Sequence, residues 1–195
     1  MNPGRVLLLG AGTVLLAGCA QPVSLGTTEL ACRVDQEGEP AGGVVLMAQA
    51  VERASFVPCL DLDTLPVGWD LAEVHVRDGS GRFTLDSDRD GVRAIEATLT
   101  SSCDTTLASE IPSDRDRVRR LEQVTRVSPS YEGTRFYVFD GGCLTVQFRA
   151  TGRYRAEPLA VATEAIDLVP RTDVEQHVRE ETGGRLELDP TEEAR

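Results

Sequence analysis

The fold of this 195-residue chain is decided by the stretch Arg135-Phe-Tyr-Val-Phe-Asp-Gly-Gly-Cys-Leu-Thr-Val-Gln-Phe-Arg149. Its first five residues are apolar on both faces of an extended chain, and Asp140-Gly-Gly142 is typical of a tight turn. After the turn, Leu144, Val146 and Phe148 alternate with polar residues, as in a strand with one buried face. The stretch therefore predicts a β-hairpin, which we place at the centre of an antiparallel sheet.

Three further strands are predicted upstream of this hairpin. Leu71–Arg77 and Arg82–Leu85 flank Asp78-Gly-Ser-Gly81, which favours a second hairpin, and Val92–Thr100 follows as an alternating strand. Sequential strands of this kind form an antiparallel meander. The only tryptophan, Trp69, ends a turn just before the meander, and we expect it in the core rather than in a stacking site.

Two segments fit both a helix and a strand. For Val44–Val51 we favour a helix, because Met, Ala and Gln are good helix formers. Residues 118–127 fit either element, and both alternatives stay open. Phe56–Leu60 is predicted to be extended, because its proline disfavours the helical region for the residue before it. Residues 103–117 are polar and are predicted to form a long surface loop.

Two helices are predicted near the C-terminus. The first contains Pro158 in its first turn and an apolar stripe that ends before Pro170; the stripe consists of Leu159, Ala162, Ile166 and Val169. The second begins at the capping box Thr172-Asp-Val-Glu175 and ends at Gly183-Gly184. The predicted fold class is therefore α+β: an antiparallel sheet built from a meander and a central hairpin, with two C-terminal helices packed on it.

The N-terminus has the form of a secretory signal. One basic residue, Arg5, precedes an apolar run that is too short to span a bilayer, and the run ends in Leu16-Ala17-Gly18-Cys19. These four residues resemble the lipobox of bacterial lipoproteins. The resemblance implies that signal peptidase II cuts before Cys19 and that the Cys19 sulfur carries a diacylglycerol anchor. The alternative is an ordinary secreted protein that is cut a few residues later.

The resemblance implies that residues 1–18 are the signal peptide, and it also implies a location. Residues 19–31 lack periodicity and are predicted to be a tether, the remaining length suits a single domain over 32–188, and 189–195 is predicted to be a disordered tail. The chain is expected at the cell membrane, held by the lipid on Cys19, with its domain on the extracytoplasmic face. A short tether keeps the domain close to the bilayer, so its partners are expected to be near the membrane too.

Without Cys19, four cysteines remain, which is an even set suited to an oxidising compartment. They allow three pairings, of which we expect Cys32–Cys59 and Cys103–Cys143. The second bond would close a loop of roughly 40 residues and stabilise the fold by about 3–4 kcal/mol through the restricted unfolded chain. The chain contains no Cys-x-x-Cys motif, so a redox role is not expected.

The charge of the chain excludes one class of partner. Asp and Glu number 32 against 20 basic residues, all of which are arginine, and the net charge is −12. An anionic surface of this size repels nucleic acid, so we expect no nucleic-acid partner. The absence of lysine is typical of a GC-rich genome and carries no mechanistic message.

One acidic cluster, Asp86-Ser-Asp-Arg-Asp-Gly91, resembles the opening of an EF-hand calcium loop. The resemblance would make Asp86, Asp88 and Asp90 candidate calcium ligands. The pattern then departs from the family, because Ala97 stands at the twelfth position where a bidentate Glu is needed, and the flanking segments are predicted strands. A solvated acidic turn is the favoured interpretation, and no cofactor is expected.

Common catalytic motifs are missing from the sequence. It has no Gly-x-Ser-x-Gly, no His-Glu-x-x-His and no phosphate-binding glycine-rich loop. A hydrolase that uses two carboxylates would leave no such motif, so it stays an alternative. No catalytic residue is assigned, and a role without catalysis is favoured.

Three further motifs carry a second resemblance: Leu65-Pro-x-Gly-Trp69, Phe83-x-Leu-Asp-Ser-Asp88 and Val138-Phe-Asp-Gly-Gly-Cys143. They resemble uncharacterised lipoproteins of GC-rich Gram-positive bacteria. This resemblance implies an envelope component and no particular activity. The first hypothesis is accordingly a binding or interaction module with a protein partner in the cell envelope. The alternative is an envelope hydrolase or a small-ligand receptor with an acidic or aromatic cleft.

Overall fold

The structure is a computed structural model that describes residues 30–32, 42–151 and 155–188. It confirms the α+β class. The elements, in chain order, are α1 (Gly42–Ala50), β1 (Phe56–Leu60), β2 (Trp69–Arg77), β3 (Ser80–Ser87), β4 (Gly91–Thr100), β5 (Ser109–Ile111), β6 (Arg119–Arg126), β7 (Tyr131–Phe139), β8 (Gly142–Ala150), α2 (Ala156–Glu164), β9 (Ile166–Pro170) and α3 (Arg171–Glu181).

The main sheet has seven antiparallel strands in the order β2-β3-β4-β8-β7-β6-β5, and β1 pairs with β9 in a second, two-stranded sheet. The predicted hairpin is β7 and β8, and β8 is the middle strand of the seven. The predicted meander is β2, β3 and β4, which form one side of the sheet. Both predictions are confirmed, because period-2 alternation over long segments is a strong signal for strands.

One face of the main sheet, here called the core face, carries the buried side chains Leu144, Val146 and Phe148 of β8. The helices α1 and α2 and the small β1–β9 sheet lie on this side. Helix α1 approaches β3 closely at Gly81. An added Cβ at Gly81 would lie 2.0 Å from the sulfur of Met47 on α1, so only glycine leaves room for this contact. The opposite face, here called the open face, carries none of the three described helices.

The first predicted C-terminal helix is wrong in its second half. The helix α2 ends at Glu164, and Ile166–Pro170 forms strand β9. The apolar residues fitted a helical stripe, but Ile166 and Leu168 also alternate, and both are buried opposite β1. Pairing with a strand distant in sequence outweighed the local helical pattern.

The second predicted helix, α3, is confirmed in position but not in its cap. Pro170 is the N-cap residue, and the Thr172 hydroxyl bonds the Asp173 carboxylate instead of a backbone N–H. The capping-box prediction is therefore wrong by two residues, because the proline-led turn from β9 already begins the helix at Arg171. The helix ends at Glu181, followed by Gly183 and Gly184 in left-handed conformations.

The remaining segments are also settled. Val44–Val51 is helical as favoured, apart from Val51, and residues 119–126 of the ambiguous segment form β6. The predicted surface loop 103–117 is largely exposed but contributes the short edge strand β5. Leu30 and Ala31, which the sequence analysis assigned to the tether, are buried, and Leu60 donates its backbone N–H to the Leu30 carbonyl at 2.7 Å.

Disulfide bonds join Cys32 to Cys59 and Cys103 to Cys143, the two bonds that the sequence analysis expected. The predicted signal peptide, Cys19, the tether before Leu30 and the predicted tail 189–195 lie outside the described residues. No helix within the described ranges is long and apolar enough to cross a membrane.

Candidate functional site

The open face is partly covered by the segment 101–108. This segment is held at Cys103 by the bond to Cys143 on β8, and Cys103 and Ala108 pack against Leu121 and Phe136. The contact forms a second, small apolar cluster on the side of the sheet opposite the main core. The rest of the open face is polar, and cross-strand register places Thr98 beside Thr145 and Glu96 beside Gln147 there.

A cleft of about 630 Å³ lies on the uncovered part of this face, and is here called the open-face cleft. Its size is within the usual range of small-molecule sites. Strands β4, β6, β7 and β8 all contribute to it. The lining residues are Val92, Arg93, Ala94, Glu96, Thr125, Glu132, Gly133, Thr134, Gln147, Phe148 and Arg149.

Both carboxylates of the cleft are bound by arginines. Glu132 accepts hydrogen bonds from Arg126 at 2.9 Å and from the Ser130 hydroxyl at 2.8 Å. Glu96 lies 3.7 Å from the guanidinium of Arg82. Each carboxylate of the cleft is thus already paired with a guanidinium of the protein itself.

Gly133 and Phe148 are paired across β7 and β8 and also line the cleft. An added Cβ at Gly133 would lie 2.6 Å from the Phe148 ring and 2.9 Å from the Gln123 carbonyl oxygen. The Phe148 ring stacks on Tyr131 with 5.8 Å between centroids. Glycine at this position therefore allows the ring and three strands to pack closely under the cleft.

The acidic turn has a structural use. Asp86 accepts the backbone N–H of Arg93 at 2.7 Å, and buried Asp90 accepts the backbone N–H of Thr151 at 2.7 Å. Asp88 is exposed and donates its own backbone N–H to Gly68. These contacts fix the connection between β3 and β4 and tie it to the end of β8. Within the described residues, no three His, Cys, Asp or Glu side chains are grouped so that they could hold a metal ion.

A second, smaller cavity of about 190 Å³ lies beside Trp69 on the other side of the sheet. Trp69 is only 4% exposed, and its indole N–H donates to Glu157 on α2 at 3.4 Å. Arg89 binds the other oxygen of the same carboxylate. The tryptophan is thus a core residue, as expected, and its ring is not available for stacking against a ligand.

A buried polar cluster on the core face was not predicted from the sequence. Arg135 of β7 donates to Glu122 of β6 and to the Thr163 hydroxyl of α2, and the Tyr137 hydroxyl donates to the Ala162 carbonyl at 3.2 Å. Burial lowers the pKa of Arg135, but the interactions with Glu122 and Tyr137 together outweigh it, so the net pKa shift is upward. The only signal in the sequence was an arginine directly before the apolar run Phe136–Phe139.

The open-face cleft was not predicted from the sequence either, although the structure brings its residues together. The predicted metal candidates do not form a site among the described residues, and no part of the cleft had been singled out. Its polar residues are the solvent-facing half of an ordinary alternating pattern. Such residues give the same pattern whether they line a cleft or face open water.

No protein-family model, curated protein or solved structure matches this chain. The function is therefore inferred from the geometry of the cleft and from the sequence.

Proposed function

We propose that this protein is a lipid-anchored binding module of the cell envelope and that the open-face cleft is its binding site. The observation that carries the proposal is a concave site of about 630 Å³ on a sheet face that the described helices leave uncovered. A sheet covered on its other face by helices and joined to segment 101–108 by the Cys103–Cys143 disulfide is a rigid support for binding.

The location rests on two independent features. Two disulfides are consistent with an oxidising compartment outside the cytoplasm. The lipobox-like Leu16-Ala17-Gly18-Cys19 supports attachment to the membrane through a lipid on Cys19. With the tether between Cys19 and the buried Leu30, the proposed partner is a protein of the envelope near the membrane.

A hydrolase is the second candidate, because Glu96 and Glu132 line the same cleft. Hydrolysis by two carboxylates requires both of them to act on the substrate. Glu96 and Glu132 are instead paired with Arg82 and Arg126 of the protein itself, and this supports binding over catalysis.

The test is site-specific photocrosslinking in living cells. A photoreactive residue replaces Gln147 in the cleft or, as the matched control, Gln176, which is exposed on α3. The proposal expects one envelope protein to be captured reproducibly from position 147 and not from position 176. Equal capture from both positions, or capture from position 176 alone, would place the binding surface elsewhere and contradict the proposal.

A further inference from the structure

The open-face cleft contains a cation that has no partner among the residues that the structure describes. Arg149 is exposed on β8, and no ion pair or hydrogen bond joins its side chain to another described residue. In register, Arg149 lies opposite Glu132 of β7. That carboxylate is already bound by Arg126 and Ser130, however, so Arg149 is left facing the cleft.

Neighbouring side chains add neutral hydrogen-bond donors to this cation. Gln147 is two residues from Arg149 on the same face of β8, and Thr134 is its partner in register on β7. Neither side chain forms a hydrogen bond with another described residue. A guanidinium, an amide N–H and a hydroxyl at neighbouring positions form a donor set that suits an oxyanion.

The charges around the cleft do not oppose an anion. The charged groups in and beside it are Arg82, Arg93, Arg126 and Arg149 against Glu73, Asp86, Glu96 and Glu132, which balance. Because the chain has a net charge of −12, this balanced region repels an anion less than the surface does on average.

We propose that the open-face cleft binds an oxyanion, a carboxylate or phosphate group carried by its ligand, and that Arg149 is the residue that binds it. This inference rests on the proposed function, because it names the chemistry that the binding site recognises. Arg149 provides two parallel N–H donors, while Gln147 and Thr134 orient the anion and distinguish it from chloride.

The experiment is an NMR titration of the ¹⁵N-labelled protein with three probes. N-acetylglycine presents a carboxylate, glycerol 3-phosphate presents a phosphate, and glycerol is the uncharged control. We expect at least one anion to shift the amide signals of Thr125, Thr134 and Gln147, and glycerol to leave them unchanged. A response to one anion only identifies which of the two groups the cleft recognises. The shifts should weaken as salt is added, because the interaction is partly exposed.

Two matched variants make the result specific. Arg149→Gln should weaken binding of the anion roughly tenfold or more, since a hydrogen bond to a charged group is lost. Arg77→Gln removes an exposed arginine of the same sheet face outside the cleft, and should leave the affinity unchanged. Equal binding by the Arg149→Gln variant, or no shift in the cleft with either anion, would overturn the inference. If crosslinking at position 147 still captured a partner in that case, the proposed binding function would be supported and only the recognition of an oxyanion would be wrong.

Discussion

The Arg135 guanidinium on β7 and the Glu122 carboxylate on β6 form an ion pair at 2.6 Å on the core face of the sheet. Their side chains are 9% and 19% exposed, so both charges have lost most of their water. Arg135 also reaches Thr163 on α2, which links the sheet to the helix above it. A pair of this kind contributes little net stability when intact but is costly to break from one side.

Replacing Glu122 by Ala should therefore destabilise the fold by about 3 kcal/mol, because the Arg135 charge is left buried without a partner. The control is Glu110→Ala, which removes the exposed ion pair with Arg119 and should have a much smaller effect. Urea unfolding measures the free energy of unfolding of both variants. The double variant Glu122→Leu with Arg135→Met should recover most of the loss, and failure to do so would contradict the explanation by a buried charge.

Tyr137 should make stability fall at alkaline pH. Burial raises its pKa, and the nearby Arg135 opposes this shift without cancelling it. The folded protein thus holds the phenolic proton more tightly than the unfolded chain does. This stabilisation is fully present below the pKa that Tyr137 has in the unfolded chain, which is about 10. It is lost as the pH rises through the higher pKa that Tyr137 has in the folded protein.

The sequence makes this effect measurable, because it contains no lysine that would titrate in the same range. Unfolding free energies at pH 8, 9, 10 and 11 should fall more steeply for the wild type than for Tyr137→Phe. That variant is less stable at pH 8, since it loses the hydrogen bond to Ala162. Parallel curves for the two proteins would show that another group causes the alkaline loss.

Gly133 should tolerate no side chain. In Gly133→Ala the added Cβ would meet the Phe148 ring and the Gln123 carbonyl, both at less than 3 Å. We expect a loss of about 1–3 kcal/mol in thermal or urea unfolding, as for other overpacked sites. Gly42→Ala is the control, since an added Cβ there has open space within 4 Å. If the two variants unfold alike, Phe148 and its strand can move without cost.

The fold was predictable where a segment is long and strictly alternating, as in Leu144, Val146 and Phe148 of β8. It was not predictable at Ile166–Pro170, where five residues satisfy both the helical and the strand pattern. The deciding partner of that segment, β1, is about a hundred residues away in sequence, and no local rule contains it. At the start of α3, the turn from β9 similarly outweighed the local capping preference of Thr172.

The cleft was not predictable for a different physical reason. Glu96, Thr125 and Gln147 lie on three strands, and only the sheet order brings them together. In the sequence each is one polar residue of an alternating strand. Arg135 is different, because a charged residue beside Phe136 and Tyr137 is unusual in an apolar strand, and this available signal was not used to predict the buried ion pair.

The proposed anchor predicts a change of location. Cys19→Ser removes the sulfur that carries the lipid, so the protein should move from the membrane fraction to the soluble fraction on cell fractionation. Ser24→Ala in the same tether is the control and should leave the protein at the membrane. Retention of the Cys19→Ser protein at the membrane would contradict the interpretation of Leu16-Ala17-Gly18-Cys19 as a lipobox.

The bond between Cys103 and Cys143 should hold segment 101–108 on the open face. Its sequence separation of 40 residues corresponds to a stabilisation of about 4 kcal/mol through the unfolded chain. In the double variant Cys103→Ser, Cys143→Ser, the small cluster of Leu121, Phe136 and Ala108 also loses its cover, so faster hydrogen exchange should appear in residues 101–111.

The matched comparison is Cys32→Ser with Cys59→Ser, whose bond spans 27 residues on the other side of the molecule. The chain-entropy model assigns this bond a similar stabilisation of about 3.6 kcal/mol, so the two variants should differ little in global stability. They should differ in where exchange increases: around β5 for the first, and around Leu30–Cys32 and β1 for the second. If both variants show the same exchange pattern, the Cys103–Cys143 bond acts only on the unfolded chain and does not fix the cover of the open face.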